Sequence, residues 1–324
     1  MKRNKKRSRW KILIAVGLVL ILLLGIYGGW ELKRSSDSLT VNEYTVSCDK
    51  ITEPIRFVYL SDLHGHEFGP ENESLAERVR AEAPDFILLG GDILNSYSED
   101  AEIPLQLVGK LSKIAPVYYT IGNHELEYLT ERGEVIYLNP EDKPWSPIVI
   151  PPDMEGSFRK ACEDAGAVFL QREYDELTVK GQKIRIGGLY EYAFGKGGGK
   201  NSSPAERTAS FLRDFADTDA VRICLAHRPD SFIFSKDSEK WDADLIVSGH
   251  LHGGQVVLPF LGGLYGAEQG LFPDYVHGLY SLGGRPMLIS SGLGSAKEKL
   301  PRFNNPPEIM VVTLTGAKTE GLRQ

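Results

Sequence analysis

Cysteine is scarce in this chain of 324 residues, which contains three, at positions 48, 162 and 224. An odd number at such separations excludes the disulfide framework that stabilises many small secreted domains. Cys224 lies inside an apolar run, where a cysteine usually packs as a small hydrophobic side chain. A single disulfide between Cys48 and Cys162 is compatible with the sequence.

Acidic side chains are absent from the first 30 residues. Residues 1–11 carry seven Lys or Arg, and residues 12–30 carry no charge. As a helix, the uncharged segment spans roughly 28 Å, close to the ~30 Å core of a bilayer. We therefore predict a cytoplasmic basic segment (1–11) and a single transmembrane anchor (12–30). Because a basic flank stays in the cytoplasm, the rest of the chain is expected outside it.

A cleaved signal peptide is the alternative for this segment. Cleavage after Gly28 or Gly29 would place Ile26 or Tyr27 three residues before the cut, where small residues are required. The sequence therefore favours an uncleaved anchor and a single-pass protein of the cell membrane.

Basic residues are in the minority beyond the anchor, where 30 Lys or Arg face 44 Asp or Glu, a formal charge of −14. Nucleic-acid affinity comes largely from Lys and Arg that neutralise phosphates, so a nucleic-acid polymer is a poor candidate substrate. Residues 31–52 are polar and are predicted to connect the anchor to a domain over 53–324. That length permits a substantial hydrophobic core.

Short apolar runs typical of buried strands alternate with helix signals along this domain, which predicts an α/β layered fold. The predicted strands cover residues 57–60, 86–89, 117–121, 183–187, 221–226, 244–247, 287–290 and 309–314. Helices are predicted over 74–83, 157–165 and 203–215, the last opened by a capping box at residues 203–206.

Five of the predicted strands end in residues that bind metals. The motifs are Ser61-Asp62-Leu63-His64, Gly90-Gly91-Asp92, Gly122-Asn123-His124-Glu125, Ala226-His227 and Gly249-His250-Leu251-His252. Ligands of α/β sheets lie at the carboxyl ends of strands, so we expect these side chains to converge. They offer two carboxylates, one amide oxygen and several imidazoles, which can hold two divalent cations side by side. Mixed nitrogen and oxygen ligation without cysteine favours Mn²⁺, Fe or Zn²⁺.

The charge of such a site predicts phosphate chemistry. Asp92 has two carboxylate oxygens and can bridge two cations, which together with two carboxylates leave a net positive charge. That charge would attract a phosphate and activate a water molecule for in-line attack on phosphorus. Because Asn123 is the better ligand in its motif, His124 is predicted to protonate a leaving oxygen or bind a phosphate oxygen. Orientation of a neighbouring ligand is the alternative role for His124.

This order of motifs resembles that of the calcineurin-like metallophosphoesterases, whose pattern is Asp-x-His, Gly-Asp-x-x-Asp, Gly-Asn-His-Glu/Asp, a lone His and Gly-His-x-His. The resemblance runs from about residue 53 to residue 315 and implies a sandwich of two mixed β-sheets flanked by helices. It also implies that one metal ion is bound by Asp62, His64, Asp92 and His252. The second ion would be bound by Asp92, Asn123, His227 and His250, with His124 near the phosphate.

Within that family, residues 270–280 and 305–309 look like the bacterial membrane-anchored branch related to UDP-2,3-diacylglucosamine pyrophosphohydrolases. The resemblance implies hydrolysis of a phosphodiester or pyrophosphate in a lipid-linked or envelope-related substrate. One departure is Asn95, where the family often has Asp, usually outside the ligand set. A phosphomonoesterase or protein phosphatase with the same metal centre is an alternative, and a silent binding scaffold is disfavoured because every ligand position is retained.

Four other features give weaker predictions. His66 is expected either to touch substrate or to lie in an exposed loop, and His277 is expected to pack. The proline-rich segment 126–152 and the glycine-rich segment 195–199 are expected to be either loops at the rim of the site, where substrate selection often resides, or plain surface connectors.

Overall fold

Two six-stranded mixed β-sheets make up the centre of the protein. The computed structural model describes residues 2–96, 101–138, 141, 148–190, 206–234, 242–267, 269–295 and 301–316. The strands of the first sheet are β1 (Thr40–Ser47), β2 (Ile55–Leu60), β3 (Phe86–Leu89), β4 (Val117–Tyr119), β7 (Ala167–Phe169) and β18 (Glu308–Thr315). Their order is β1–β18–β2–β3–β4–β7, and only the β18–β2 pair is antiparallel.

The second sheet has the same size and a parallel centre. Its strands are β8 (Glu173–Val179), β9 (Gln182–Gly188), β10 (Val221–Leu225), β11 (Leu245–Ser248), β16 (Gly278–Leu282) and β17 (Arg285–Ile289). Their order is β16–β17–β11–β10–β9–β8, with antiparallel pairs at the two edges. The carboxyl ends of β2, β3, β4 and β7 therefore share one edge of the first sheet, and those of β9, β10, β11 and β17 share one edge of the second.

Successive side chains of a strand point to opposite faces of the sheet, so the apolar strands of the first sheet contribute to an apolar layer on each of its two faces. In β2, Phe57 and Tyr59 face a core shared with the second sheet, whereas Val58 and Leu60 face a second core. Phe86 of β3 stacks on Phe57 with ring centroids 5.0 Å apart. Every one of these side chains is buried, which fixes the register of the strands and so the positions of their carboxyl ends.

Helices cover the outer faces of both sheets. The helices are α1 (Lys2–Asp37), α2 (Glu73–Ala81), α3 (Glu102–Leu111), α4 (Asn123–Glu131), α5 (Phe158–Asp164), α6 (Glu206–Ala216) and α7 (Asp230–Phe234). Apolar residues of α2 to α5 pack on the first sheet, and those of α6 and α7 pack on the second. The predicted α/β sandwich with flanking helices is confirmed.

The eight predicted strands are all present, and the described parts of the three predicted helices are helical. Their ends differ from the predicted ones by at most two residues, the usual uncertainty of helix and strand boundaries. The predicted capping residues 203–205 lie outside the described residues. Helices α3, α4 and α7 were not predicted, and α4 begins within the third motif.

Residues 31–52, predicted to be a connector, instead contain the last turns of α1 and the whole of strand β1. Strand β1 pairs in parallel with β18 from Thr40 to Ser47. Strand β1 is at the edge of the sheet and buries little of its surface, and only Val46 is fully buried. Its sequence is therefore polar and does not show the apolar pattern by which a strand is predicted. The first sheet therefore begins before residue 53.

Two other expectations meet the structure only in part. Residues 126–131 of the proline-rich segment belong to α4, and Ile136–Tyr137 (β5) pairs with Ile148–Val149 (β6). Residues 139–140 and 142–147, and the whole glycine-rich segment 195–199, lie outside the described residues. The three cysteines are free, so the disulfide between Cys48 and Cys162 does not form, and Cys224 is buried as predicted.

Candidate metal centre

The five motifs converge at the carboxyl ends of β2, β3, β4, β10 and β11. Of the eight predicted site residues, seven are buried and Asn123 is partly exposed. Three overlapping groups have ligand atoms within 4.8 Å of one another: Asp62 with His64 and His252, Asp92 with His227 and His250, and His64 with Asp92 and His124. Residues up to 190 positions apart in the chain thus meet in one buried cluster.

Backbone strain accompanies the cluster. Asp62, His64, Asp92, His250 and His252 have φ values between 47° and 71°. Such left-handed conformations are uncommon for residues other than glycine and cost free energy, so they persist only where the surrounding structure enforces them. They turn the chain sharply as it leaves each strand, which directs the side chains toward the shared edge.

Two imidazoles and a carboxylate form the first group. The Nε2 atoms of His64 and His252 are 3.3 Å apart, and Nε2 of His252 is 3.7 Å from Oδ1 of Asp62. The main-chain N–H of His250 donates to both oxygens of Asp62, at 3.0 and 3.2 Å, which orients that carboxylate. The group can enclose a cation among these three side chains.

The second group has a defined imidazole orientation. Nδ1 of His227 lies 2.7 Å from the carbonyl oxygen of Gly90 and donates to it. Its Nε2 lies 3.1 Å from Oδ2 of Asp92. Burial lowers the pKa of His227, but the Asp92 carboxylate raises it to about 9. A divalent cation between the same two atoms would take the place of that proton.

Asp92 presents one oxygen to both groups. Oδ2 lies 3.1 Å from Nε2 of His227 and 4.0 Å from Nε2 of His64. Oδ1 instead accepts the main-chain N–H of His124 at 2.8 Å. Burial raises the pKa of Asp92, but His227 and His64 lower it well below its usual range. Asp92 is predicted to bridge two cations, and Oδ2 is the oxygen that faces imidazoles of both groups.

The donor set fits divalent cations. Oδ1 of Asn123 is buried and accepts no hydrogen bond from the described residues. A buried oxygen without a donor costs about 1–3 kcal/mol, and a cation would compensate that cost. Imidazole nitrogens with carboxylate and amide oxygens, in the absence of thiolates, suit Mn²⁺, Fe or Zn²⁺.

His124 lies beside the ligands and has a partner of its own. Its Nδ1 is 2.7 Å from Oγ of Ser96, and its ring centroid is 4.5 Å from that of His64 in an edge-on arrangement. The third group, with His64 and Asp92, shows that one ring nitrogen also reaches the cluster. The position is compatible with a role toward phosphate and with ligand orientation. Ser96 itself was not predicted.

Glu125 belongs to the third motif but has no role predicted from the sequence, and in the structure it holds the backbone of the second motif. Its buried carboxylate accepts the N–H groups of Asp92 and Ile93, both at 2.7 Å, and the Tyr119 hydroxyl at 2.7 Å. It also accepts the N–H groups of Gly122 and residue 94. Burial and the charge of Asp92 raise the pKa of Glu125. One side chain therefore joins the second motif to the third.

Two residues behind His252 were also missed. Nδ2 of Asn305 donates to the carbonyl oxygen of His252 at 2.7 Å. Arg302 donates to the carbonyl oxygen of Gly294 at 3.0 Å, and the same oxygen lies 3.2 Å from Nδ1 of His252. In the sequence, Asn305 belongs only to the segment 305–309 that resembles a family tail, and Arg302 gives no signal, because nothing local connects either residue with residue 252.

At two positions in the motifs, glycine is required because a carboxylate of the cluster lies too close to the backbone for any side chain. A Cβ atom on Gly122 would lie 2.1 Å from Oδ1 of Asp92, and one on Gly249 would lie 2.4 Å from Oδ2 of Asp62. Any side chain at either position would displace a carboxylate of the cluster.

The remaining predicted positions lie outside the cluster. His66 is half-buried, with its ring 4.6 Å from that of Phe68, and Asn95 is buried. His277 was expected to pack; it is exposed in the structure, with its ring 2.9 Å from the buried carboxylate of Glu308 and 3.1 Å from the Tyr44 hydroxyl.

Cavities open on two sides of the cluster. One of about 260 Å³ is lined by His250 and His252 and by apolar residues that include Leu264 and Tyr265. The other, of about 350 Å³, is lined by both polar and apolar residues, which include Asn123, Leu126 and Arg228. Each of the two cavities therefore reaches at least one predicted ligand of the cluster.

Residues 55–254 match the family model described as calcineurin-like phosphoesterase. The match covers more than half of the chain and includes all five motifs. The chain belongs to the calcineurin-like phosphoesterase family. It is a metal-dependent hydrolase of phosphate esters, and the predicted family and enzyme class are confirmed.

Several bacterial relatives are similar over most of their length. Phosphodiesterase YaeI of Escherichia coli is 26% identical over 265 residues, which cover 81% of this chain and 82% of the relative. An uncharacterized metallophosphoesterase of Bacillus subtilis, YkuE, is 26% identical over 324 residues, which cover 96% and 98%. A crystal structure of TT1561 of Thermus thermophilus aligns with a TM-score of 0.41 at 12% identity, over 75% of this chain and 90% of that one. The resemblance to the diacylglucosamine branch stays a prediction.

Proposed function

We propose that the protein is a membrane-tethered phosphoesterase that hydrolyses a phosphodiester or pyrophosphate bond at a centre of two divalent metal ions. The observation that supports this most directly is the position of Asp92 Oδ2, which faces His227 on one side and His64 on the other. One carboxylate oxygen between two sets of buried ligands is the arrangement that a bridged pair of ions needs.

The proposed ligands divide between two ions. The first ion is assigned to Asp62, His64, Asp92 and His252, and the second to Asp92, Asn123, His227 and His250. Support comes from the two groups of neighbouring ligand atoms and from the buried oxygen of Asn123. When bound, the ions would polarise phosphate oxygens and supply a nucleophilic water at neutral pH.

His124 is assigned to the phosphate group or the leaving oxygen. The hydroxyl of Ser96, 2.7 Å from Nδ1, fixes the orientation of the ring. A ring held in this way can present its other nitrogen to a leaving oxygen and transfer a proton to it. Glu125 and Asn305 hold the backbone on which the proposed ligands stand and do not touch the substrate.

The membrane tether is proposed from helix α1. Of the described helices, this one is long and apolar enough to cross a membrane, over Trp10–Asp37. Its apolar side chains between residues 12 and 26 are exposed, with only Gly17 partly covered. With the basic residues 1–11 in the cytoplasm, the catalytic domain would lie outside it. N-terminal sequencing of protein extracted from membranes tests this, because a mature start near Glu31 would indicate a cleaved signal instead.

Metal analysis is the first test of the centre. Full-length protein purified in detergent is stripped with a chelator and reloaded separately with Mn²⁺, Zn²⁺ or Fe²⁺. We expect two ions per chain and recovery of hydrolysis with at least one metal. A stoichiometry of one ion after loading with each of the three metals would contradict the proposed pair.

Substrate class is tested on the same preparations. Hydrolysis of bis(p-nitrophenyl) phosphate and of a nucleoside diphosphate sugar is compared with hydrolysis of p-nitrophenyl phosphate and a phosphopeptide. We expect faster turnover of the diester or pyrophosphate, in keeping with the phosphodiesterase name of the Escherichia coli relative. Preference for the monoesters would favour a phosphomonoesterase or protein phosphatase that uses the same centre.

A further inference from the structure

An apolar surface lies next to the candidate metal centre, on two short hairpins. The first pairs Val257–Leu258 (β12) with Gly262–Gly263 (β13), and the second pairs Tyr265–Gly266 (β14) with Gly270–Leu271 (β15). Exposed fractions reach 107% for Phe260, 62% for Leu261 and 69% for Leu271. Monomeric soluble proteins rarely expose contiguous surfaces of this kind, and those that do commonly use them for interaction.

The same segment is almost free of charge. Between residues 253 and 273 the sequence contains one charged residue, Glu268, in a chain of which 25% is charged. Glu268 lies outside the described residues. Depletion of charge around exposed aromatic and leucine side chains favours an apolar partner over a polar one.

Two bulky residues of this surface hold strained backbones. Phe260 has φ = 67° and Phe272 has φ = 54°, a region that large side chains avoid. Phe272 is also exposed, so neither conformation is explained by burial of the ring in the core. A strained backbone that exposes apolar side chains to solvent is expected where those side chains have a function.

The carboxyl-terminal end of α1 is attached to the loop beside these hairpins. The N–H of Asn305 donates to Oγ of Ser35 at 3.1 Å, and that hydroxyl donates to Glu31 at 2.8 Å. Glu31 and Ser35 are buried. One helical turn earlier, the ring of Tyr27 meets that of Phe303 edge-on, with centroids 6.4 Å apart. The helix is therefore fixed to the domain, not freely hinged to it.

The loop that holds α1 also holds the first hairpin. The N–H of Val257 donates to the carbonyl oxygen of Phe303 at 2.9 Å, and the N–H of Phe303 donates to Gln255 at 3.3 Å. Tyr27 belongs to the uncharged segment 12–30, about 4.5 Å before Trp30 along the helix axis. A contact at Tyr27 thus places Phe303, and with it the base of the hairpin, at the level where the apolar segment ends.

We propose that the two hairpins, residues 257–267 and 269–272, dock on the surface of the bilayer that holds α1. The proposal rests on the membrane tether of the proposed function and extends it to the orientation of the catalytic domain. Phe260, Leu261, Leu271 and Phe272 would enter the headgroup region, as interfacial aromatic and leucine side chains do. The bilayer is preferred to a second copy of the chain because the structure already joins this surface to the end of the membrane helix.

The orientation has a consequence for substrate access. The cavity of about 260 Å³ is lined both by Leu264 and Tyr265, in the region of the hairpins, and by His250 and His252 of the cluster. A docked domain would open this cavity toward the membrane. The substrate class that fits is a phosphoester whose apolar part stays in the bilayer while its phosphate reaches the metal centre.

Fluorescence quenching of the full-length protein in vesicles tests the docking. An environment-sensitive label is attached to Leu261→Cys, Leu271→Cys or, as control, Thr178→Cys, each combined with Cys48→Ser. The other two cysteines are fully buried. Thr178 is exposed on β8, at the far edge of the second sheet and at the end opposite the motifs. Vesicles of phosphatidylethanolamine and phosphatidylglycerol carry a nitroxide on the lipid near the headgroup.

We expect quenching at positions 261 and 271 to exceed that at 178 by about fivefold, since interfacial side chains enter the zone of the nitroxide. Equal quenching at the three positions would overturn the proposal. A second result would also overturn it: weak quenching by the lipid at position 261 together with self-quenching of the label that increases with the number of chains per vesicle. That result would show that a second copy of the chain covers the surface. Metal-dependent hydrolysis of a soluble diester by the same labelled proteins checks the proposed function independently.

Discussion

The main-chain N–H of His124 donates a hydrogen bond to Oδ1 of Asp92 at 2.8 Å. This bond orients the carboxylate so that Oδ2 faces the imidazoles of the cluster. It also joins the end of β3 to the start of α4, and Glu125 reinforces the same junction through the N–H of Asp92. The second and third motifs therefore act as one structural unit, so a substitution in either motif is expected to affect the other.

Replacement of Asp92 by Asn should reduce hydrolysis to background and leave at most one ion per chain. Asn retains an oxygen that can accept the His124 N–H, but its amide cannot supply a negative charge between two cations. Metal content by mass spectrometry and diester hydrolysis measure the two effects. Asp49→Asn, at an exposed position, is the matched control and should behave as the unmodified chain. Two retained ions in Asp92→Asn would contradict the bridging role.

Replacement of His124 by Ala should lower turnover by about 10²–10⁴-fold while the ions remain, since that is the usual contribution of a general acid. The defect should be smaller for nitrophenyl esters than for alkyl esters, because a nitrophenolate leaves without a proton. His66→Ala is the control, a half-buried histidine that packs on Phe68.

Two outcomes would change the assignment of His124. Loss of metal ions in His124→Ala would identify His124 as a metal ligand, a role that its distance from His64 and Asp92 permits. An equal defect for both kinds of ester would make it a phosphate-binding group. Ser96→Ala should reproduce a milder form of whichever defect is found, since Ser96 holds the ring.

Glu125→Gln should destabilise the protein by about 2–5 kcal/mol, because an amide NH₂ would face N–H groups that now donate to a carboxylate. The loss should appear as a lower midpoint of thermal unfolding and as weaker metal retention. Glu127→Gln provides the control, on the same helix but exposed. Unchanged unfolding of Glu125→Gln would show that its five hydrogen bonds contribute little.

The ion pair of His277 and Glu308 should make stability depend on pH. Burial lowers the pKa of His277, but the hydrogen bond and charge of Glu308 raise it above its ordinary value. Burial raises the pKa of Glu308, whereas His277 lowers it to about 2, so the carboxylate stays charged over the working range. The stabilisation from protonated His277 is complete below its unfolded pKa and is lost as the pH rises past its folded pKa.

Urea unfolding of the unmodified chain and of His277→Gln at pH 6 and pH 9 checks this prediction. We expect the variant to lose more free energy of unfolding at pH 6 than at pH 9. An equal loss at both pH values would mean that the charge of His277 is not what stabilises the pair, and that packing against Tyr44 and Glu308 accounts for the effect.

The sequence by itself determined eight of the strands and the seven proposed ligands. The continuous apolar runs of β2 and β3 gave these core strands, because a strand buried on both faces needs apolar residues over four to six consecutive positions. The polar motif after each strand could be predicted to converge because parallel strands place their carboxyl ends at a common edge. The apolar runs and the motifs that follow them involve residues close together in the chain, so they can be recognised in the sequence.

Only the tertiary structure decided how the motifs are held. Strand β1 is recognised by its pairing with β18, some 270 residues away, and Glu125 by donors from two motifs. Asn305 supports His252 across 53 positions, and it also receives the end of α1. Hydrogen bonds between distant segments leave no periodic trace in a sequence, because each partner is an ordinary polar residue until the fold brings the two together.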